Sequence, residues 1–350
     1  MTVNIIRGNA LDLPLADDSV DLIVTSPPYF GLRSYQDGGA HYDGQIGAEA
    51  TPAEFVDALI AATREMVRVT KPTGSIWVNL GDKYAGADVQ PAQSSSTTLG
   101  GGKHAGVSNL GNQRRVNTSS IRAKSLIGIP WRYALRCIDG LGLILRAHVV
   151  WSKPNGLPES VNDRVRRSHE EWFHFTLSPR YYADLDAIRT PYAESSVPRR
   201  SRGRKHTYDA PGQSEHNGLR EGFNPGGALP PSVWAIPTEP LRGVPKELGV
   251  KHYAAFPTEW PRRIIKAWCP PGGTVLDPFG GTGTTALVAD VLGRHGISVD
   301  MSADYCRLAE WRTTDPKQRQ KAVRYKTEHT HGWSGSGGIA DDDCPVCSLL

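Results

Sequence analysis

Hydrophobic positions along the chain follow two periods, and the switches between them set out the elements. VNIIRG (from Val3) and VDLIVTS (from Val20) are short apolar runs bounded by polar residues, as expected of strands buried on both faces. In TPAEFVDALIAATREMVRVTKPTG (51–74) the period lengthens: Phe55, Leu59, Ala62, Met66 and Val69 recur every three or four positions and predict one helix face. Thr51 with Glu54 forms a capping-box pattern, Pro52 suits the first helical position, and Pro72 with Gly74 closes the segment. SIWVNL (75–80) returns to strand. Further on, IPWRYALRCIDG reads as helix, LILRAHVVW and EEWFHFTL as strands, and PTEWPRRIIKAWCPPGG as a short helix stopped by Pro-Pro-Gly-Gly. TVLDPFGGTGTTALVADVLGRHGISVD then gives strand, glycine turn, helix and strand in one βαβ unit. Such alternation predicts an α/β fold with a mostly parallel sheet covered on both faces.

Three stretches carry no period. Residues 83–124, containing SSSTTLGGGKHAG, are rich in Gly, Ser and Thr and predict a long mobile surface insertion. From 191 to 250 Pro, Gly and Arg dominate, with a basic cluster in PRRSRGRKH. From 316 to 350 the composition is that of a disordered tail. The periodic segments therefore fall into 1–190 and 251–315, on either side of an irregular 191–250.

Apolar residues make up 39% of the 350 and charged residues 22%, ordinary for a globular chain, and no run approaches the roughly 18 apolar residues of a membrane span. The opening MTVNIIRGNALDLP lacks the basic and apolar regions of a secretory signal, so a cytoplasmic protein with no membrane partner is expected. Five scattered cysteines argue against a disulfide framework. The spacing of His329, His331, Cys344 and Cys347 matches no zinc pattern, and no metal site is assigned. A net charge of +4 permits a nucleic-acid partner without requiring one.

Two short motifs carry chemistry. In DLIVTSPPYFGL an apolar strand runs into Pro27 and Pro28, which cannot donate to a ladder, so the chain leaves the sheet as a stiff extended loop. Ser26 before it and Tyr29 after it give that loop the makings of a hydrogen-bond acceptor site; a plain strand end where pairing stops is the alternative. In TVLDPFGGTGTTALVADVL a strand delivers Asp277, and Gly280, Gly281 and Gly283 make a turn tight enough for a ligand to lie against bare backbone and a helix N-terminus. GTGTTA also fits the dinucleotide fingerprint, and no Gly-Lys-Ser/Thr ending points to a nucleoside triphosphate. Asp300 ends the next strand, where a carboxylate can accept ribose hydroxyls.

VTSPPY followed far downstream by LDPFGGTGTT resembles the DNA amino-methyltransferases, which use S-adenosylmethionine to methylate N4 of cytosine or N6 of adenine. The order of the motifs resembles the circularly permuted beta group, and the likeness covers most of 4–312. It implies a Rossmann-like sheet, with 1–190 as the catalytic half, 251–315 as the cofactor half and 191–250 as a target-recognition region. By the same resemblance Ser26, Pro27, Pro28 and Tyr29 form the target-base site. Asn9, Phe256, Pro257, Asp277, Phe279, Gly281, Gly283 and Asp300 surround the cofactor. Two positions depart from the family: Asn9 stands where Asp is frequent, and Ser298 where Glu is, leaving Asp300 as the only carboxylate for the ribose. Double-stranded DNA is the implied partner, with a restriction endonuclease and a homodimer as further family associations.

An exocyclic amine is a poor nucleophile because its lone pair is delocalised into the ring. Acceptors aimed at its N–H bonds, here the Ser26 side chain or carbonyl and the Pro27 carbonyl, localise that pair. The base must leave the duplex, at a cost of a few kcal/mol, and stacking on Tyr29 returns ~1–3 kcal/mol. Arg199, Arg200, Arg202, Arg204 and Lys205 are candidate phosphate contacts, with Arg164, Arg166 and Arg167 as additions; a solvated charge run is the alternative. His169 is read as structural, because this chemistry needs no strong base. No Pro-Cys pair occurs, which excludes carbon-5 methylation of cytosine. Ser26 favours cytosine N4, since adenine-N6 enzymes more often begin the motif with Asp or Asn. An oxidoreductase using NAD through GTGTTA and an inactive DNA-binding protein are the competing classes.

Overall fold

The computed structural model describes residues 3–31, 36–37, 40–41, 45–86, 121–156, 158–192, 224, 226–250 and 255–323. Its main sheet contains β1 (Val3–Arg7), β2 (Val20–Thr25), β5 (Thr70–Leu80), β6 (Ile144–Ser152), β7 (His169–Thr176), β8 (Val233–Ala235), β9 (Thr274–Asp277) and β10 (His295–Asp300). A small hairpin pairs β3 (Gln36–Asp37) with β4 (Ala40–His41). The order across the sheet is β1-β10-β9-β2-β5-β7-β6-β8, and only β7 opposes the rest. This is the mostly parallel, Rossmann-like α/β arrangement expected.

Helices α1 (Pro52–Val69) and α2 (Ile129–Leu141) cover one face. On the other face lie α3 (Glu259–Trp268), α4 (Thr284–Val291) and α6 (Pro316–Val323), while α5 (Ala303–Thr314) packs on β1, β10 and α4. The sequence signals of α1 are all used. Thr51 Oγ1 accepts from Glu54 N at 3.2 Å, Glu54 Oε2 accepts from Thr51 N at 3.0 Å, and the five periodic residues are buried. The second core is aromatic: Trp260 stacks between Trp172 at 4.7 Å and Trp234 at 4.8 Å.

Two boundaries differ from expectation. β5 starts at Thr70 rather than Ser75, because Thr70 pairs with Val20 before the register jumps to Leu22 opposite Ser75. Gly74 makes the bulge: a Cβ there would lie 2.6 Å from Thr70 Cγ2 and 2.8 Å from Asp21 O. The tail expected from 316 is a helix to Val323, where buried Gln318 and Ala322 face the body and Arg262 donates to the Ala322 carbonyl. PKQRQKAV has too few apolar positions to show a period, so its helix is fixed by packing rather than by pattern. Residues 324–350 and most of the 83–124 insertion lie outside the described residues.

The chain leaves β9 through α4 to β10 on one side, and leaves β2 through α1 to β5 on the other. Adjacent β9 and β2 therefore mark the point where the winding reverses, and a crevice opens beyond their carboxyl ends. Both motifs read from the sequence sit there.

Candidate active site

The glycine turn after β9 is held by two carboxylates. Asp277, 2% exposed, accepts from Thr25 Oγ1 at 2.6 Å, Thr285 Oγ1 at 2.9 Å and Phe279 N at 3.1 Å. Burial pushes its carboxyl up to about 6, against the pull of these donors and with the nearby Asp300 adding to the rise. It ties the end of β2 to the turn and does not line the cleft. Asp300 does line it, accepting from Gly281 N at 2.9 Å and from Ser302 N at 2.8 Å.

Glycine is required at two places in this turn. A Cβ at Gly280 would fall 1.8 Å from Ser298 Oγ, and one at Gly283 (φ +70°) would fall 2.9 Å from Ala309 Cβ. Ser298 is thus packed beneath the turn, 1% exposed, instead of facing the cleft.

The Pro-Pro loop after β2 is held by side chains from β5 and β7. Asn79 Oδ1 accepts from Ser26 Oγ at 3.1 Å and shares with Glu170 the single proton of Tyr29 Oη, 2.8 Å away, while its Nδ2 donates to Glu171 O at 3.1 Å and so fixes the amide. Tyr29 Oη also lies 2.7 Å from Glu170 Oε2, and Lys153 donates to the other oxygen of that carboxylate. Burial first, then the Glu170 charge, raises the Tyr29 pKa well above the usual phenol, so the ring stays neutral. A Cβ at Gly81 would lie 2.5 Å from Tyr29 Cε2, so the ring rests on bare backbone. Because Ser26 spends its one proton on Asn79, its oxygen presents only lone pairs to the cleft.

The cleft between these two ends holds about 950 Å³ of space, its open mouth included. Five of the eight expected cofactor residues line it: Asn9, Phe256, Phe279, Gly281 and Asp300. Pro257, Asp277 and Gly283 do not; all three are buried. Of the expected base-site residues Ser26 and Pro28 line it, whereas Pro27 is buried and Tyr29 stands in the side-chain network. Phe256 is backed edge-on by Trp172, ring centres 5.7 Å apart.

Asn79, Gly81, Glu170 and Lys153 were not singled out in the sequence. Asn79 and Gly81 had a usable signal, a polar residue and a glycine ending the apolar run of a parallel strand. Glu170 and Lys153 had none, since only the antiparallel β7 brings Glu170 to Tyr29, and Lys153 reaches that carboxylate from the end of neighbouring β6. His169 is exposed and lies 3.4 Å from Glu171, away from the cleft lining. Arg164 pairs with Glu159 at 2.8 Å and covers the Tyr84 ring at 3.9 Å, and Arg166 donates to Gly156 O at 3.1 Å. The cluster Arg199, Arg200, Arg202, Arg204 and Lys205 lies outside the described residues.

Comparison with known proteins decides between the classes this crevice could serve. The family model described as DNA methylase matches residues 20–311. The chain is a DNA methylase. It belongs to the S-adenosylmethionine-dependent DNA amino-methyltransferases, and the competing NAD oxidoreductase class is set aside. The methylase is 33% identical over 310 residues to the type II methyltransferase M.SmaI of Serratia marcescens, covering 88% of this chain and 89% of the relative. It is 34% identical over 313 residues to M.XycI of Xanthomonas campestris pv. cyanopsidis, covering 87% and 85%. Its fold is similar to that of the PvuII DNA methyltransferase (cytosine-N4-specific), with a TM-score of 0.59, 21% identity and coverage of 92% and 90%.

The residues of the cleft fit the cofactor of this family. The cleft is lined by the Asp300 carboxylate, able to accept hydroxyls such as those of a ribose, by a turn without side chains at Gly280 and Gly281, by the apolar Phe256 and Phe279, and by Ser26. Among the described residues no helix is long and apolar enough to cross a membrane.

Proposed function

We propose that this methylase transfers a methyl group to N4 of a cytosine flipped out of double-stranded DNA, at a specific site. The observation that carries methylation of an exocyclic amine is the state of Ser26: a neutral hydroxyl whose proton is taken by Asn79 at 3.1 Å, leaving an acceptor that lines the cofactor cleft. The cytosine-N4 specificity of the similarly folded PvuII enzyme favours that base, and the type II designation of the relatives favours action at a specific site.

S-adenosylmethionine, when bound, supplies a methyl group on a sulfonium. Asp300 would hold its ribose, and Phe256 with Phe279 would flank the remainder. Ser26 Oγ and the Pro27 carbonyl accept the two N–H bonds of the target amine and turn its lone pair toward the methyl. Transfer of that methyl to the amine nitrogen would leave the demethylated cofactor and a surplus amine proton, which the open mouth of the cleft lets pass to solvent. Tyr29, fixed at its hydroxyl by Asn79 and Glu170, offers a ring face to the extruded base. The irregular 191–250 region reads the sequence, with Arg199, Arg200, Arg202, Arg204 and Lys205 on phosphates. A restriction endonuclease of the same specificity is the expected biological partner, in keeping with the type II relatives.

Adenine N6 offers the same two N–H bonds and is the second reading. Mass spectrometry of nucleosides from DNA methylated in vitro separates them. N4-methylcytosine as the product supports the proposal, and N6-methyladenine alone refutes it.

A further inference from the structure

Arg312, on α5, is 4% exposed, and among the described residues no carboxylate lies within ion-pair distance of it. Glu239, whose field reaches it, is already held by Lys321 at 2.7 Å and by the Thr258 amide and hydroxyl at 2.9 and 2.8 Å. Its Nε is buried without a hydrogen-bond partner. Its Nη1 donates to Thr282 Oγ1 at 2.5 Å and to Thr284 Oγ1 at 2.7 Å. Burying a cation is costly unless charge of the other sign is near, so an arginine in this position needs an explanation that packing alone does not give.

The two threonines supply it. Both belong to the glycine turn and both line the cleft, although they are only 2% and 3% exposed. Their oxygens lie 3.1 Å apart, so one hydroxyl proton is used between them. Since each oxygen already accepts from the guanidinium, the remaining hydroxyl proton is free to be donated into the cleft. The arginine thus heads a chain of donors, each polarised by the one before, that ends at the cleft wall. The close approach of α5 that allows this depends on Gly283 and Ala309, where any larger side chain would push helix and turn apart.

We propose that Arg312 is a positioning residue for the cofactor's carboxylate: acting through Thr282 and Thr284, it supplies the buried positive charge that the α-carboxylate of S-adenosylmethionine balances. The inference rests on the assignment of S-adenosylmethionine to this cleft. It concerns only which end of the ligand the buried cation serves.

The test is calorimetric titration of the full chain with three probes: S-adenosylmethionine, its decarboxylated analogue, and 5′-methylthioadenosine, which lacks the whole amino-acid part. Wild-type protein that binds none of the three contradicts the cofactor assignment itself. Given wild-type binding, Arg312→Met is expected to weaken S-adenosylmethionine at least tenfold while changing the other two less than twofold, which erases the preference for the carboxylate. Arg312→Lys keeps the charge and restores most of that preference. Equal losses for all three ligands in a folded Arg312→Met protein overturn the proposal in favour of a purely structural role, and so does an unchanged preference. If Arg312→Met does not fold, Thr282→Val in the wild-type background carries the same comparison, and an unchanged preference there is equally fatal.

Discussion

The two strand ends that face each other across the crevice are stiffened by different means. After β9 the chain is held by carboxylates that accept from backbone amides and threonine hydroxyls, and by glycines that let β10 and α5 close in from below. After β2 the backbone is stiffened by two prolines, and the working side chains are held from the opposite half of the sheet by Asn79 on β5 and Glu170 on β7. The first design suits a ligand that lies along a bare turn. The second suits a group that must present one acceptor and one ring face in fixed positions while a base enters and leaves. Damage at one end should therefore be felt by one ligand and spared by the other.

The largest effect is expected at the β2 end. Ser26→Ala removes the neutral acceptor and should lower the single-turnover methylation rate by about 10²–10³, as for loss of one preorganised donor or acceptor. Cofactor affinity, read by calorimetry, should stay within a factor of about three by the same reasoning. A rate loss that vanishes at saturating cofactor would blur the two ends into one.

At the β9 end, Asp277→Ala strands the buried Thr25 hydroxyl and the half-buried Phe279 amide, at about 1–3 kcal/mol each before relaxation, while Thr285 keeps the Val24 carbonyl as its acceptor. Cofactor affinity and thermal stability should fall together, whereas methylation at saturating cofactor should be less affected than in Ser26→Ala. Retention of full cofactor affinity would show that the turn does not need its carboxylate anchor.

DNA binding sharpens the comparison from outside the crevice. Neutralising Arg199, Arg200, Arg202 and Arg204 should leave cofactor affinity alone and flatten the salt dependence of DNA affinity by about 0.9 log–log units per lost phosphate contact. An unchanged slope returns that cluster to ordinary solvated charge.

The smallest expected effect is in stability against pH, where two buried groups oppose each other. Burial lowers the His174 pKa to about 3, so it is neutral in the fold and its contribution is lost as pH falls from about 6.5 toward 3. Asp277, raised to about 6, contributes in the other direction: its share is present below about 4 and is lost as pH rises through 6. Between pH 4 and 6 the two largely cancel. His174→Gln should therefore make stability fall as pH rises across that window, and Asp277→Asn should make it fall as pH drops. Thermal melts at several pH values check both signs.

Much of this was legible in the sequence because periodic burial and turn chemistry are local. The capping box of α1, the strand before Pro27, and the βαβ unit around Gly280 all announce themselves within a few residues. The helix at Pro316–Val323 did not, since its burial depends on one glutamine and one alanine reaching a distant surface. Asp277 was assigned to the cofactor because it precedes the glycines; its side chain instead turns inward to Thr25, 252 positions away in sequence. Glu170 meets Tyr29, and Lys153 meets Glu170, only through strand order, which no window of sequence contains. Residues that stand out by local pattern were legible, and those brought together by crossing the sheet were not.

The separation of the two ends is tested most directly by titrating S-adenosylmethionine into folded Tyr29→Ala and Asp300→Ala proteins side by side. Tyr29→Ala should bind it as the wild type does, within a factor of about three, while Asp300→Ala, having lost the carboxylate that lines the cleft and anchors Gly281, should bind at least about tenfold more weakly, the equivalent of roughly 1.4 kcal/mol. Equal weakening in both variants would contradict the account, because one ligand would then be reading both strand ends.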